Sequence, residues 1–218
     1  MEKIITIDGL ASSGKSALSQ KLSKKIGWPW FSTGVLYRGM AYVGYIEKFD
    51  EKKYLSFFKS KDWFIKLTEK KSLFFYKGED ISSKLYQKFI DEKASFFSSY
   101  TLYRKALIPV QRSFYKAQKG LILEGRDCGS ILFPSAPLKI FLSAPDRVRA
   151  KRRAEDRKEP VHAVLQSQKN RDQRDQNRHF APVIKPKNAL CLNSEEYSLN
   201  QIVELVYEKA IDIFQSKT

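Results

Sequence analysis

Eight consecutive residues, Gly9-Leu10-Ala11-Ser12-Ser13-Gly14-Lys15-Ser16, fit the pattern G-x-x-x-x-G-K-[ST] at every fixed position. Gly9 and Gly14 lack a Cβ, so the backbone can curl and point its N–H groups inward at phosphate oxygens. A helix beginning at the loop adds the positive end of its dipole. Lys15 can then reach the terminal phosphates of a nucleotide, and the Ser16 hydroxyl can ligate Mg²⁺. The bland alternative is a glycine-rich turn that binds nothing.

A second set of residues suits anions. Arg126 and Asp127 follow the apolar run Leu121-Ile122-Leu123, where a buried parallel strand would deliver them to a ligand. A local salt bridge in a loop is the competing reading. From Pro145 to Arg178 the composition turns basic: Arg147, Arg149, Lys151, Arg152, Arg153 and Arg157 precede Lys158-Glu159-Pro160, then Arg171, Arg174 and Arg178 follow with Asp175 among them. Spacings of three, four and seven place such side chains on one helical face. An arginine face with few apolar residues is poor core material and fits a lid that closes over phosphates. A solvated hairpin and an RNA-binding face are its rivals. Arg38 lies near the start of another helical pattern, where the helix dipole is unfavourable to a cation, so it calls for a local anionic partner.

The elements that must hold these groups are legible on either side. Lys3 to Asp8 reads as a short buried strand, and Leu18, Leu22 and Ile26 make one face of a helix that Gly27 stops. Trp28 to Phe31 reads as extended, with Ser32 or Thr33 as a cap for the helix carrying Val35, Leu36, Met40, Val43 and Ile46. Trp63 to Leu67 and Ser72 to Tyr76 predict a two-stranded hairpin ended by Lys77-Gly78. Helix is expected over 80–99 through Ile81, Leu85 and Phe89, and over 100–118 through Leu102, Ala106, Val110 and Phe114, with Pro109 kinking or interrupting the latter. Leu138 to Leu142 and Ala189 to Leu192 predict two more core strands, and Ser198-x-x-Gln201 opens a last helix with a capping box.

The chain has 218 residues, enough for one α/β domain with an insertion or for two small domains. No apolar run approaches the roughly 18 residues of a membrane span, and no signal-peptide pattern precedes the first strand. Cys128 and Cys191, far apart and without metal spacing, predict neither a disulfide scaffold nor a metal site and point to a reducing cytoplasm. The net charge of +16 admits nucleic acid, yet lysines such as Lys52, Lys59 and Lys70 are scattered among acids and aromatics, as on a solvated surface. Small-molecule nucleotides are therefore the expected partners.

Together these residues resemble one family, the bacterial cytidylate (CMP) kinases, almost end to end. The likeness is carried by Thr6-Ile7-Asp8-Gly9, Thr33-Gly34-x-x-Tyr37-Arg38, Gly78-Glu79-Asp80-Ile81-Ser82, Glu124-Gly125-Arg126-Asp127-x-Gly129-Ser130, Arg149-Ala150-Lys151-Arg152-Arg153 and Arg171-Asp172-x-x-Asp175-x-x-Arg178. It implies an α/β fold: a P-loop NTPase-type parallel sheet flanked by helices, with an NMP-binding insertion containing a small antiparallel sheet and an arginine-rich helical lid. One kinase domain is implied, with core 1–31, 120–145 and 185–218, insertion about 32–119 and lid about 146–184. The implied reaction is ATP plus CMP or dCMP giving ADP plus CDP or dCDP, with Mg²⁺, in a cytoplasmic monomer.

By the same resemblance, ATP would lie on Asp8, Gly9, Leu10, Ala11, Ser12, Ser13, Gly14, Lys15 and Ser16, with Arg152 and Arg153 reaching it from the lid. Arg38, Arg126 and Arg178 would hold the CMP phosphate, with Arg171 nearby. Ser95, Arg104 and Asp127 would read the base, Thr33 would lie near the acceptor, and Asp175 would contact the sugar. Lys15, Arg126, Arg171 and Arg178 are the implied catalytic groups. Leu10 stands where the family usually has proline, and Asn193 where an aspartate commonly ends the last strand. Another small-molecule P-loop kinase and a basic RNA-binding protein with a P-loop are the alternatives.

Overall fold

A computed structural model describes residues 2–214. Met1 and residues 215–218 of the expected core lie outside that range. Five parallel strands form the central sheet in the order β2-β6-β1-β7-β8. These are β1 (Ile4–Asp8), β2 (Trp30–Ser32), β6 (Leu121–Gly125), β7 (Leu138–Ser143) and β8 (Leu190–Asn193). β1 and β6 are buried at every position, as strands covered on both faces must be. The pleat sends successive residues to opposite sides. Ile4, Leu121 and Leu123 join the core under α2 (Thr33–Ile46) and α5 (Thr101–Lys116). Ile5, Ile7 and Ile122 join the core under α1 (Lys15–Ile26) and α8 (Leu199–Phe214).

Gly27 ends α1 in the left-handed conformation, φ 78°. The expected capping box at α8 forms in both directions: Ser198 N–H donates to Gln201 Oε1 at 2.8 Å, and Gln201 N–H to Ser198 Oγ at 3.3 Å. Neither expected hydroxyl caps α2. Ser32, the N-cap residue, makes no side-chain cap bond, and Thr33 Oγ1 donates instead to Glu124 O at 3.0 Å, tying α2 to β6.

Between α2 and α5 runs the segment that stands off the sheet: α3 (Glu51–Phe57), β3 (Trp63–Leu67), β4 (Ser72–Tyr76), β5 (Glu79–Asp80), a 3₁₀ turn over 82–86 and α4 (Lys88–Phe97). The expected hairpin is present and gains a third strand. Lys77 and Gly78 both take positive φ, so they turn the chain back into β5 rather than ending the sheet. Trp63 stacks on Phe74 at 5.5 Å and Phe64 on Phe75 at 4.6 Å. Phe74 lies so close to α2 that a Cβ on Gly39 would sit 2.2 Å from its ring.

Three expectations need correction. The helix expected over 80–99 is broken at Gln87, whose extended backbone separates the 3₁₀ turn from α4. α5 is not interrupted: Pro109 lies inside it, and Pro109 and Lys105 are both exposed, so the carbonyl freed by the missing N–H can be met by water. Its fully buried residues are Tyr103, Arg104, Leu107 and Gln111; of the expected stripe, Ala106, Val110 and Phe114 pack partly buried against the core, and Leu102 is exposed.

The basic segment forms two helices, α6 (Asp146–Arg157) and α7 (Val161–Gln176), around a small cluster of Ala150, Ala154 and Val164. Its arginines are not all on display. Arg149 is 1% exposed and donates to Ala11 O at 3.1 Å, Ala144 O at 3.1 Å, Asp146 and Asp172. Arg149 and Asp172 thus fasten α6 and α7 to the glycine loop, and removing either partner would strand a charge.

Candidate active site

β1 delivers the glycine loop, and the loop delivers Lys15. Gly9 has φ +150°, and a Cβ there would meet Leu142 O at 2.1 Å. Gly14 has φ +98° and opens α1 at Lys15. Lys15 Nζ donates to Leu10 O at 2.6 Å and Ser13 Oγ at 3.3 Å, so the ammonium is folded back over its own loop. Burial pushes its pKa down to about 7; Arg126 adds to the shift and Glu124 opposes it. The Asp8 carboxylate is committed to the N–H groups of Cys128 and Gly129, at 2.7 Å each. It therefore anchors the turn after β6, and its contribution to the loop is through the main chain.

Arg126 crosses from the loop to the lid. Its Nη1 donates to Gly9 O at 2.9 Å and its Nε to Asp175 Oδ2 at 2.8 Å. Burial would raise the Asp175 pKa, but the guanidinium groups of Arg126, Arg171 and Arg178 outweigh it and hold it at about 2. At the far wall Arg104 pairs with Asp127, and Arg104 also lies 5.1 Å above the Tyr37 ring.

These groups surround a cavity of about 270 Å³ lined by Thr33, Arg38, Arg104, Arg126, Asp127, Arg171, Asp175 and Arg178, with Lys15 and Ser16 at one end. A second recess of about 510 Å³ is lined by Ser12, Gly14, Lys15, Ser16 and Arg152. Lys15, Ser16, Arg38 and Arg153 line both. Four arginine nitrogens around the first cavity are buried without a partner: Arg104 Nε, Arg153 Nε, Arg171 Nε and Arg178 Nη2. Burial and mutual repulsion push the pKa of Arg171 well below the usual guanidinium range. Guanidinium groups so arranged call for phosphate oxygens.

Most expected residues are brought together, and two are placed otherwise. Ser95 does not line the cavity that holds Arg104 and Asp127. α4 turns Ala94 and Ser98 toward that cavity and Ser95 toward the lid, where its hydroxyl accepts from Arg174 Nε at 3.1 Å. Arg152 lies at the donor recess but is bound to Ser194, at 2.8 Å to both Oγ and O. Two acids had no assigned role. Glu124, at the end of β6, accepts from Ser16 Oγ at 2.8 and 3.0 Å. The signal for it was its place, one residue before Gly125-Arg126-Asp127 at the end of a buried strand. Asp91, on α4, is the anionic partner that Arg38 required, 53 residues away in the chain.

A parallel sheet that delivers a glycine loop to a basic cavity, with two arginine-rich helices beside it, is the architecture of the P-loop kinases. A family model for cytidylate kinase matches residues 5–212. The chain is similar to a cytidylate kinase of Bdellovibrio bacteriovorus, 36% identical over 211 residues covering 95% of this chain and 97% of that one. It is also similar to a cytidylate kinase of Caldicellulosiruptor bescii, 36% identical over 95% of this chain and 96% of that one. Among solved structures, a gluconokinase from Sinorhizobium meliloti superposes with a TM-score of 0.52 at 12% identity, covering 99% of this chain and 97% of that one, a likeness of fold alone. The chain belongs to the cytidylate kinase family.

The state of Lys15 has a measurable consequence. Burial holds the Lys15 pKa near 7, and a bound triphosphate favours its charged form. Binding of Mg²⁺–ATP is therefore expected to take up more proton at pH 8 than at pH 6. Calorimetry in two buffers of different ionisation enthalpy reads this directly, and the uptake should vanish in Lys15→Met.

Proposed function

We propose that the two recesses are the donor and acceptor sites of a CMP kinase, and that the γ-phosphoryl group of ATP passes between them at Lys15. The observation that supports this most is their junction: Lys15, Ser16, Arg38 and Arg153 line both. The bond from the γ-phosphorus to the ADP oxygen breaks, and one to a phosphate oxygen of CMP forms, giving ADP and CDP. The protein supplies alignment and positive charge, which is most of what phosphoryl transfer requires. The glycine loop grips the donor, and Lys15 and the lid arginines gather around the moving group. Arg38, Arg126, Arg171 and Arg178 hold the acceptor phosphate, and Asp175, beside Arg126, faces the sugar. Residues 32–119 act as the acceptor-binding insertion and 146–184 as the lid that excludes water.

Ser16, at the start of α1, and Glu124, at the end of β6, offer adjacent hard oxygens. That suits Mg²⁺, which takes one or two protein oxygens and completes its shell with phosphates and water. Bound there, the ion would neutralise charge on the donor phosphates. The inward convergence of the arginines favours a small phosphorylated ligand over RNA: Arg104, Arg153 and Arg178 are all buried and line the cavity. We read the enzyme as a cytoplasmic monomer, as the family resemblance implies. No helix of the described residues is long and apolar enough to cross a membrane.

Base choice follows from hydrogen-bond polarity. Cytosine donates from its amino group and accepts at N3, and uracil reverses both. Ionised Asp127 can only accept and Arg104 can only donate. A mismatched base sets a donor against Arg104 or an acceptor against Asp127, losing hydrogen bonds at about 1–3 kcal/mol each. A coupled ADP-release assay over CMP, dCMP, UMP, AMP and GMP is expected to favour the cytidine nucleotides by roughly thirtyfold or more in kcat/KM over UMP, at about 1.4 kcal/mol per tenfold. Comparable turnover of UMP would overturn the assignment of Asp127 and Arg104.

A further inference from the structure

One carboxylate gathers arginines from three helices. Asp91 is 7% exposed and sits in the first turn of α4. Its Oδ1 accepts from Arg38 Nε at 2.9 Å and Nη2 at 2.8 Å. Its Oδ2 accepts from Arg153 Nη2 at 3.3 Å and pairs with Arg157, and Arg171 Nη1 lies 3.7 Å from Oδ1. Arg38 comes from α2, Arg153 and Arg157 from α6, and Arg171 from α7. Lys88, Asp91 and Ser95 share one face of α4. That whole face meets the lid, through Lys88 to Glu159 at 3.2 Å and Ser95 to Arg174 at 3.1 Å.

Asp91 lines the donor recess and a small lid-side recess, but it is not among the residues lining the acceptor cavity. It lies behind the arginines, not in the place of the acceptor phosphate. Arg38 shows the arrangement: its Nε and Nη2 edge is spent on Asp91, while Nη1 lies over Gly34 at the cavity wall, where a Cβ would come within 2.9 Å of it. Burial pushes the pKa values of Arg38, Arg153, Arg157 and Arg171 down, which marks a crowded, poorly solvated set of cations. Bringing the lid onto the insertion forces these cations together, and a central anion offsets that repulsion.

We propose that Asp91 is a positioning residue for phosphoryl transfer: it clamps Arg38 from behind and latches the lid through Arg153, Arg157 and Arg171, so that these arginines meet the phosphates in one arrangement. The proposal rests on the acceptor and lid roles assigned above. It makes closure a property of the insertion as much as of the lid.

The test compares wild type, Asp91→Asn, Arg157→Gln and the double variant, reading kcat and KM for CMP, ATP binding alone by calorimetry, and thermal melting. Arg157 is useful because it lies outside the acceptor cavity; it lines the donor recess, so ATP binding is read separately. Asp91→Asn is expected to lower kcat about tenfold or more and to raise KM for CMP by more than it weakens ATP binding, since Asp91 borders the donor recess but leaves the glycine loop untouched. Arg157→Gln should move kcat in the same direction, and the double variant should fall no further than Asp91→Asn alone, as for two ends of one contact. Unchanged kcat with an equal or lower KM in Asp91→Asn would overturn the proposal, since it would make Asp91 a bystander or a competitor of the phosphate. Losses that multiply in the double variant would also overturn it. If Asp91→Asn does not fold, Arg157→Gln decides alone: lowered kcat with intact ATP binding supports the latch, and wild-type kcat refutes it. An inactive wild type would overturn both this proposal and the kinase assignment; an active wild type with unresponsive variants overturns only the latch.

Discussion

Lys15→Ala is expected to lower kcat at least about a hundredfold, the scale on which phosphoryl transfer depends on charge at the moving group. Lys15 is the one ammonium that lines both recesses, and its Nζ is held to Leu10 O at 2.6 Å, within the loop that grips the donor. Its burial beside Arg126 depresses its pKa, so a bound phosphate is what makes the charged form comfortable. The alanine variant loses that charge where negative charge moves during the reaction. The fold should tolerate the change. Lys15 makes no ion pair that its loss would strand, and its bonds are to Leu10 and Ser13 of the same turn. Coupled ADP release at saturating nucleotides measures kcat, and thermal melting checks the fold. A rate near wild type in a folded protein would remove Lys15 from the mechanism.

Arg178→Ala is expected to cost at least about a hundredfold in turnover as well, and it separates function from stability better than its neighbours do. Arg126 is tied to both Gly9 O and Asp175, so its loss would loosen the loop and strand a buried carboxylate. Arg178 is less encumbered. Its Nη1 is 3.8 Å from Asp175 Oδ1, its Nε donates to the Asp175 carbonyl at 3.2 Å, and its Nη2 is buried with no partner. That spare donor lies at the wall of the acceptor cavity. The expected signature is a large fall in kcat and a rise in KM for CMP, with little change in ATP binding or in melting temperature. Turnover close to wild type would reject Arg178 as a ligand of the acceptor phosphate.

What could be read without coordinates was local chemistry. The phosphate-binding loop, the strand before it, Gly27 at the end of α1 and the capping box of α8 each depend on residues within a few positions, and all are found. Even the need of Arg38 for an anion was visible from the helix dipole. Which anion was not, because Asp91 lies on a separate helix and its approach depends on how α4 packs against α2 and α7. The same packing explains Ser95: a rotation of α4 by one residue decides whether a hydroxyl meets the base or the lid, and no periodicity resolves that when both faces are polar. The buried face of α5 is wider than its apolar stripe for a related reason: Ala106, Val110 and Phe114 pack on the core as expected, while the buried Arg104 and Gln111 carry no apolar signal. Arg149 misled in the opposite sense. A charged face looked solvent-facing or ligand-facing, yet Arg149 is a buried tie between lid and loop.

The acceptor's phosphate is expected to be seated by arginines from three parts of the chain: Arg38 on α2, Arg126 after β6 and Arg178 after α7. A crystal structure with CMP and a non-hydrolysable ATP analogue bound together tests it most directly. The expected result is a CMP phosphate within hydrogen-bond distance of Arg38, Arg126 and Arg178, with the γ-phosphate of the analogue beside Lys15. A CMP molecule bound elsewhere, or those three guanidinium groups turned away from its phosphate with the lid closed, would contradict the account.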